Sequence, residues 1–389
     1  MRHNIARIAV VAMALAGMAL PALPALAADR PDFRITRFLG EQRLPHLTQV
    51  EGTTFGGISG IDRDPATGTW YFISDDRWRY QPARFYTGKL DINKRTGEFR
   101  GVSLDSVYTL KRPDGSPYPA YAQPESADPE SIRWDPLSRK LIWSSEGDRP
   151  DPQNTAIPLS QQFIRWVNRQ GEHVRGLQLP GNLLLTSENR GPRRNFGIEG
   201  LTLTKHRIAA IVEGPRFEDG TPPAVDGGAP ARITVWNRNG RVRGQYAYPI
   251  EKLPAAPIPP TGATDSGVSE LLAIDDHRYL ALERSWIEGV NYRVRLYEID
   301  LRGATNILNR DSLMTRMFYR PVRKTLVLDI NRPEPTQNLE SLAWGPRLKS
   351  GECTLVIGSD DNFSAEESTQ FLLYAAKGCP VGHAKARQK

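Results

Sequence analysis

Short runs rich in Val, Ile, Leu, Phe, Tyr and Trp recur along the chain, alternate apolar with polar positions, and are broken by Gly, Pro, Asn and Asp. A period of two interrupted by turn residues predicts short antiparallel strands rather than helices. Five segments repeat one pattern, a strand, a turn and a second strand that ends in an acid: GGISGIDRDPATGTWYFISDD (56–76), PESIRWDPLSRKLIWSSEGD (129–148), IEGLTLTKHRIAAIVEGP (198–215), VSELLAIDDHRYLALERS (268–285) and LESLAWGPRLKSGECTLVIGSDD (339–361). Aligned on Ser59, Glu130, Glu199, Glu270 and Glu340, the steps between units are 71, 69, 71 and 70 residues. A steady period of this size is the mark of a repeat architecture.

Each unit continues with further strand-like runs, such as FYTGKLDI with FRGVSLDSVYTL, FIRWVN with HVRGLQLP, ITVWNRN with VRGQYAYPI, and YRVRLYEIDL with KTLVLDI. Four antiparallel strands per unit, repeated, predict an all-β propeller. The repeat count predicts five blades, or six if 310–331 holds further strands. The fifth unit has only LESLAW, TLVIGS and QFLLYAA, so its fourth strand is expected from FRITRFLGEQRL (33–44), which closes the ring and removes an exposed sheet edge. Cys353 and Cys379, the two cysteines, fall at the open end of one hairpin and are expected to form a disulfide.

Short turns join strand one to strand two and strand three to strand four, so one face is bare. The long connections 76–84, 147–161, 214–231, 284–292 and 361–369, with those between blades, gather on the other face, where binding loops are expected. Two acidic columns converge there. Glu130, Glu199, Glu270 and Glu340 open the first strands; Asp75/Asp76, Glu146, Glu213, Glu283 and Asp360/Asp361 close the second. Crowded carboxylates raise one another's pKa and need an offset. Arg77, Arg149, Arg216 and Arg284 follow the second column by one to three residues and are candidates to grip an anionic substrate in bidentate fashion. A hard cation is the other offset, Ca²⁺ or less readily Mg²⁺, with Glu130, Glu199, Glu270 and Glu340 as candidate ligands. Glu146, Glu213 or Glu283 would then act as general base. The same acids could equally serve the backbone or a neighbouring blade's arginine. Trp78, Tyr80, Trp286 and Tyr292 share these loops and fit either substrate contact or loop packing.

The first 27 residues read as an export signal: Arg2 and Arg7, an apolar run from Ile8 to about Leu20, then Ala25-Leu26-Ala27. The mature domain is expected over 28–380, periplasmic or secreted and monomeric, with 381–389 as a basic tail. Without Arg2 and Arg7 the formal charge falls from +7 to +5, and its basic residues are scattered, which argues against nucleic acid as a partner. His3, His46, His173, His206, His277 and His383 all lie away from the acidic columns, so a Ser–His–Asp hydrolase or a histidine phosphatase has no base. Gly57-Ile58-Ser59-Gly60 lacks the spacing of a nucleophile elbow.

FGGISGIDRD…WYFISDD, DPESIRWDP…LIWSSEGD, NFGIEGLTL, GVSELLAID…YLALERS and NLESLAWGP…LVIGSDDN, in that order, resemble the phytase-like ("esterase-like activity of phytase") family over roughly 50–376. The resemblance implies a propeller and ester hydrolysis, with a small anionic ester, phosphate esters first, as substrate. A looser similarity is to calcium-holding lactonase-type propellers. A non-catalytic envelope propeller that docks a protein or polyanion is the alternative reading.

Overall fold

The computed structural model describes residues 33–150, 155–314, 318–331 and 336–380. The expected leader (1–27) and tail (381–389) lie outside the described residues. Ring closure comes from β1 (Arg34–Arg43), which pairs antiparallel with the last strand of the chain. A small ribbon, β2 (Gln49–Val50) and β3 (Thr53–Thr54), precedes the first blade. Blade one is β4 (Ile58–Arg63), β5 (Trp70–Ser74), β6 (Arg84–Ile92) and β7 (Phe99–Thr109). Blade two is β8 (Pro129–Asp135), β9 (Lys140–Ser145), β10 (Phe163–Val167) and β11 (His173–Leu177). Blade three is β12 (Ile198–Leu203), β13 (Arg207–Val212), β14 (Ala229–Asn237) and β15 (Val242–Ile250). Blade four is β16 (Thr264–Ala273), β17 (Arg278–Ile287), β18 (Asn291–Asp300) and β19 (Arg323–Ile330). Blade five is β20 (Asn338–Trp344), β21 (Cys353–Asp360) and β22 (Gln370–Lys377), with β1 as its outer strand.

The protein is therefore a five-bladed, all-β propeller closed by its N-terminal strand. The first strand of each blade is innermost and packs on the first strands of both neighbours, completing a ring. Inner strands have both sides covered and are nearly all buried; outer ones such as β7 alternate with solvent. Cys353 and Cys379 are joined by a disulfide across 6.4 Å between Cα atoms.

Each innermost strand carries a bulge at the same height, between Ile58 and Gly60, Pro129 and Ile132, Ile198 and Gly200, Val268 and Glu270, and Leu339 and Ser341. A bulge inserts one residue and re-aims its side chain. The inserted positions are Ser59, Glu130, Glu199, Ser269 and Glu340. This corrects the expected column: in blade four the equivalent of Glu199 is Ser269, and Glu270 stands one residue further along. One step along a strand turns a side chain to the other face.

Glu270 points to the propeller axis. Its structural equivalents are Gly60, Ser131, Gly200 and Ser341, all small. A Cβ at Gly200 would come 2.6 Å from Leu271 N, so only one long side chain fits at this level. Glu270 accepts from the Leu201 N–H at 3.2 Å and pairs at 2.5 Å with Arg133. Arg133 donates to the carbonyls of Ile61, Leu201, Leu271 and Leu342, one from each other blade, and to that of Ile132 in its own. The pair is at most 2 % exposed and blocks the axis. Arg133 floors a hollow of about 620 Å³ on the short-turn face, so the other face is a blind cup.

Removing one partner of a buried pair leaves an uncompensated charge. Arg133→Met is expected to lower unfolding free energy by about 3–5 kcal/mol, read from the urea midpoint. A shift below about 1 kcal/mol would contradict the axial role.

Candidate functional site

The cup opens on the face of the long connections and encloses about 370 Å³. Two tiers of side chains line it. The lower tier is the bulge residues Glu130, Glu199 and Glu340. The upper tier comes from the ends of the second strands: Asp75, Glu146, Arg284 and Asp360 line the cup, while Glu213, the equivalent residue of blade three, is buried outside the lining against Arg284. Their equivalence is set by pairing: the N–H groups of Asp75, Glu146 and Glu213 bond the carbonyls of Gly57, Asp128 and Gly197, while Arg284 faces Gly267 and Asp360 faces Asn338. Blade four thus places Arg284, not Glu283, in this tier.

Glycine is needed where the upper acids lie against the next blade. A Cβ at Gly197 would sit 2.6 Å from Glu146 Cγ, and one at Gly267 2.3 Å from Glu213 Cγ. Without it the Gly197 N–H donates to Glu146 Oε1 at 2.7 Å and holds that carboxylate still.

Seven carboxyls line the cup (Asp75, Glu130, Glu146, Glu199, Asp265, Glu340, Asp360) against two guanidinium groups, Arg77 and Arg284. Among the described residues no histidine lines it. Arg77 donates from Nε to Asp128 Oδ1 at 2.7 Å and lies 3.9 Å from Glu146 and 3.8 Å from Asp148. Arg284 contacts Asp265 at 2.6 Å, Glu213 at 3.0 Å and Glu340 at 3.3 Å. Both arginines are already committed to carboxylates, and these acids hold the protons of both guanidinium groups more tightly against the pull of burial.

The compensation is incomplete. Burial, then the neighbouring Asp128 and Glu340, pushes Asp75 up to about 8. Burial, then Asp128, takes Glu146 to about 8 as well. Glu130, Glu199, Glu213 and Asp360 are raised well above the usual carboxylate range, burial first and adjacent acids next. Glu213 Oε2 and Asn338 Oδ1 are buried with no hydrogen-bond partner. Asp128, Glu130 and Glu146 can bring oxygens within 4.8 Å of one another, as can Glu146, Glu199 and Glu213. All-carboxylate donors with an unpaired buried oxygen fit a hard divalent cation.

Four sequence candidates lie elsewhere. Glu270 is the axial residue. Glu283 accepts from Tyr248 Oη at 2.7 Å and pairs with Lys324 at 2.5 Å. Arg149 donates to the Glu188, Arg190 and Pro192 carbonyls and lies over Phe217, so it holds a loop. Arg216 is bound to Asp219 at 2.9 Å and to the Asn182 and Asp311 carbonyls. Of the loop aromatics, Trp286 and Tyr292 line the cup, whereas Tyr80 packs on Phe363. Asp128, Asp265, Asn195 and Asn338 were not anticipated. The triplets Gly57-Ile58-Ser59, Asp128-Pro129-Glu130, Gly197-Ile198-Glu199, Gly267-Val268-Ser269 and Asn338-Leu339-Glu340 carry the correct register and expose Asp128 and Asn338.

Residues 53–363 match the family described as Phytase-like: Esterase-like activity of phytase. No match is found among curated proteins. Among solved structures, a Pseudomonas brassicacearum lignostilbene dioxygenase is similar at 12 % identity and TM-score 0.34, covering 80 % of this chain and 54 % of its own. The GH43 protein BlXynB of Bacillus licheniformis shows 12 % identity and TM-score 0.37, covering 88 % and 59 %. A GH43_12 protein from a capybara gut metagenome shows 8 % identity and TM-score 0.41, covering 87 % and 55 %. The chain thus aligns with little more than half the length of these structures. At such scores, what those proteins act on says nothing about this chain.

The raised carboxyls set a pH dependence. Their pKa is higher folded than unfolded, so the folded chain holds the extra protons, and stability falls as pH rises through the window between about 4 and about 8. Melting temperature in chelator should therefore drop between about pH 5 and 8.5, and a divalent cation should reduce the drop. A flat profile in chelator would contradict this electrostatic picture.

Proposed function

The chain belongs to the phytase-like family, and on that premise we propose that the cup is the active site of a hydrolase of small anionic esters, phosphoesters first and carboxylic esters next, assisted by a hard divalent cation such as Ca²⁺. The observation that carries this reading is the imbalance of seven carboxyls against two committed arginines in a blind cup. An anionic ester is repelled from such a cup unless a cation enters with it or before it. Glu146, Glu199 and Glu213 are the side chains best suited to hold the cation, because Glu213 Oε2 has no other partner. When bound, the cation would supply Lewis-acid polarisation of the ester.

Water is the attacking nucleophile and gives its proton to an ionised carboxylate of the cup as the ester bond breaks. Asp75 lines the cup outside both carboxylate trios, where burial first and then Asp128 and Glu340 push its pKa up, which makes it the candidate to give a proton to a leaving oxygen. Arg284, though bonded to Asp265, Glu213 and Glu340, gives this wall its positive charge and so favours the anionic end of the ester on that side. Trp286 and Tyr292 stand on the same wall and would bound the uncharged part of the ester.

We also place the working protein outside the cytoplasm. The Cys353–Cys379 disulfide supports this, as such bonds persist in oxidising compartments. No helix of the described chain is long and apolar enough to cross a membrane.

Phosphate release from phosphomonoesters and p-nitrophenol release from carboxylic esters test the reading, in Ca²⁺ or Mg²⁺ and in chelator. Chelation should abolish turnover, and Asp75→Asn should lower kcat by about 10²-fold or more. Failure of the cation-loaded protein to turn over either ester class would leave only a binding role for the cup.

A further inference from the structure

Beyond the cup, we infer that the hollow on the short-turn face is a second ligand site, for an apolar zwitterion: an apolar amino acid or short peptide whose ammonium group meets Asp62 and whose carboxylate meets Arg63. The hollow holds about 620 Å³ against about 370 Å³ for the cup, within the range of about 300–1,000 Å³ of small-molecule sites. Its walls are largely apolar, with Leu137, Leu203, Ile274, Trp344 and Pro346 among them, and the axial pair separates it from the cup.

Blade one breaks the pattern of this wall. Two successive residues of each innermost strand reach its level. Counted from the bulges, the first set is Asp62, Arg133, Thr202, Leu272 and Ala343, and the second is Arg63, Trp134, Leu203, Ala273 and Trp344. Arg133 is committed to the axial pair. Asp62 Oδ2 accepts the Trp134 N–H at 2.7 Å, but in blade three the Thr202 hydroxyl accepts the Ala273 N–H at 2.8 Å, so the backbone needs an acceptor at this place and not a charge. Arg63 stands where every other blade has an apolar side chain. Both residues line the hollow. Among the described residues neither enters an ion pair, and the Arg63 guanidinium makes no hydrogen bond. Burial works against the charged form of each: it raises Asp62 against the pull of Arg133, and it lowers Arg63. A lone cation meets repulsion from Arg63, and a lone anion meets it from Asp62. A ligand that carries both charges on an apolar body complements both groups and the walls between them.

The test is binding rather than turnover. Full-length protein is titrated by calorimetry with four probes built on one ring: phenylalanine, the dipeptide phenylalanyl-phenylalanine, 2-phenylethylamine and 3-phenylpropionate. Chelator is present throughout, so that no cation in the cup can draw a carboxylate there. At least one of the two zwitterions should bind at least tenfold more tightly than either singly charged probe, and whichever of them binds tells whether one residue or two spans the charges. Arg63→Gln should cost that zwitterion at least tenfold. So should Asp62→Asn, which keeps an oxygen for the Trp134 N–H. Near-UV circular dichroism monitors folding; if Asp62→Asn loses its signal, Arg63→Gln and the singly charged probes decide. A singly charged probe that binds as tightly as the zwitterions overturns the inference, and so does zwitterion binding that Arg63→Gln leaves unchanged. Silence of all four probes overturns it as well and leaves the hollow to the chain itself, to residues 381–389 beyond Pro380 at its edge or to a second copy.

Discussion

The structure turns on one buried ion pair. Arg133 and Glu270, from blades two and four, occupy the axis where a propeller would otherwise have a channel. The guanidinium has five donors in a fixed fork and meets a ring of backbone carbonyls that the five innermost strands turn inward at one height. One side chain therefore satisfies carbonyls from five sheets and fixes their mutual height. Burial pushes Glu270 up to about 7 even with Arg133 opposed. Its consequence for function is closure. The pair separates the acidic cup from the hollow on the opposite face.

Above the plug, the fold creates a problem that a ligand can relieve. Five bulges insert a residue at the same height, and the three inserted glutamates, Glu130, Glu199 and Glu340, line the cup. The second strands add Asp75, Glu146 and Asp360, with Glu213 buried beside Arg284. Blade four departs from the rule in both tiers, with Ser269 below and Arg284 above, and so supplies the cup with its positive wall. The result is polarised: carboxylates with unmet oxygens crowd blades two and three, while Arg284, Trp286 and Tyr292 stand on blade four. Such a cup is less stable empty than it is filled, which is the usual trade at a binding site.

Much of this was legible before the fold was known. The seventy-residue period predicted the blades, the missing strand of unit five predicted closure by the N-terminus, and loop length predicted the face on which the cup opens. The errors came from register and reach. Glu270 looked like the third member of an acidic column because a bulge inserts a residue whose presence composition does not reveal; the slip of one position moved it from the cup to the axis. Glu283 was misplaced by the same slip, with Arg284 in its stead. Arg149 and Arg216 follow the second strands as Arg77 and Arg284 do, but a long side chain on a loop can turn toward backbone carbonyls, and only tertiary packing decides that. The glycine of each Gly-x-Ser/Glu triplet was the better guide, since it marks where the neighbouring blade's acid must pass.

The central claim is that the carboxylates of blades two and three face a cation rather than each other. Crystals grown with a lanthanide in place of calcium test it most directly, through an anomalous difference map. The account predicts strong density enclosed by Glu146, Glu199 and Glu213. A clean map there, with these carboxyls bonded to one another or to Arg284 at full lanthanide occupancy elsewhere, would contradict it.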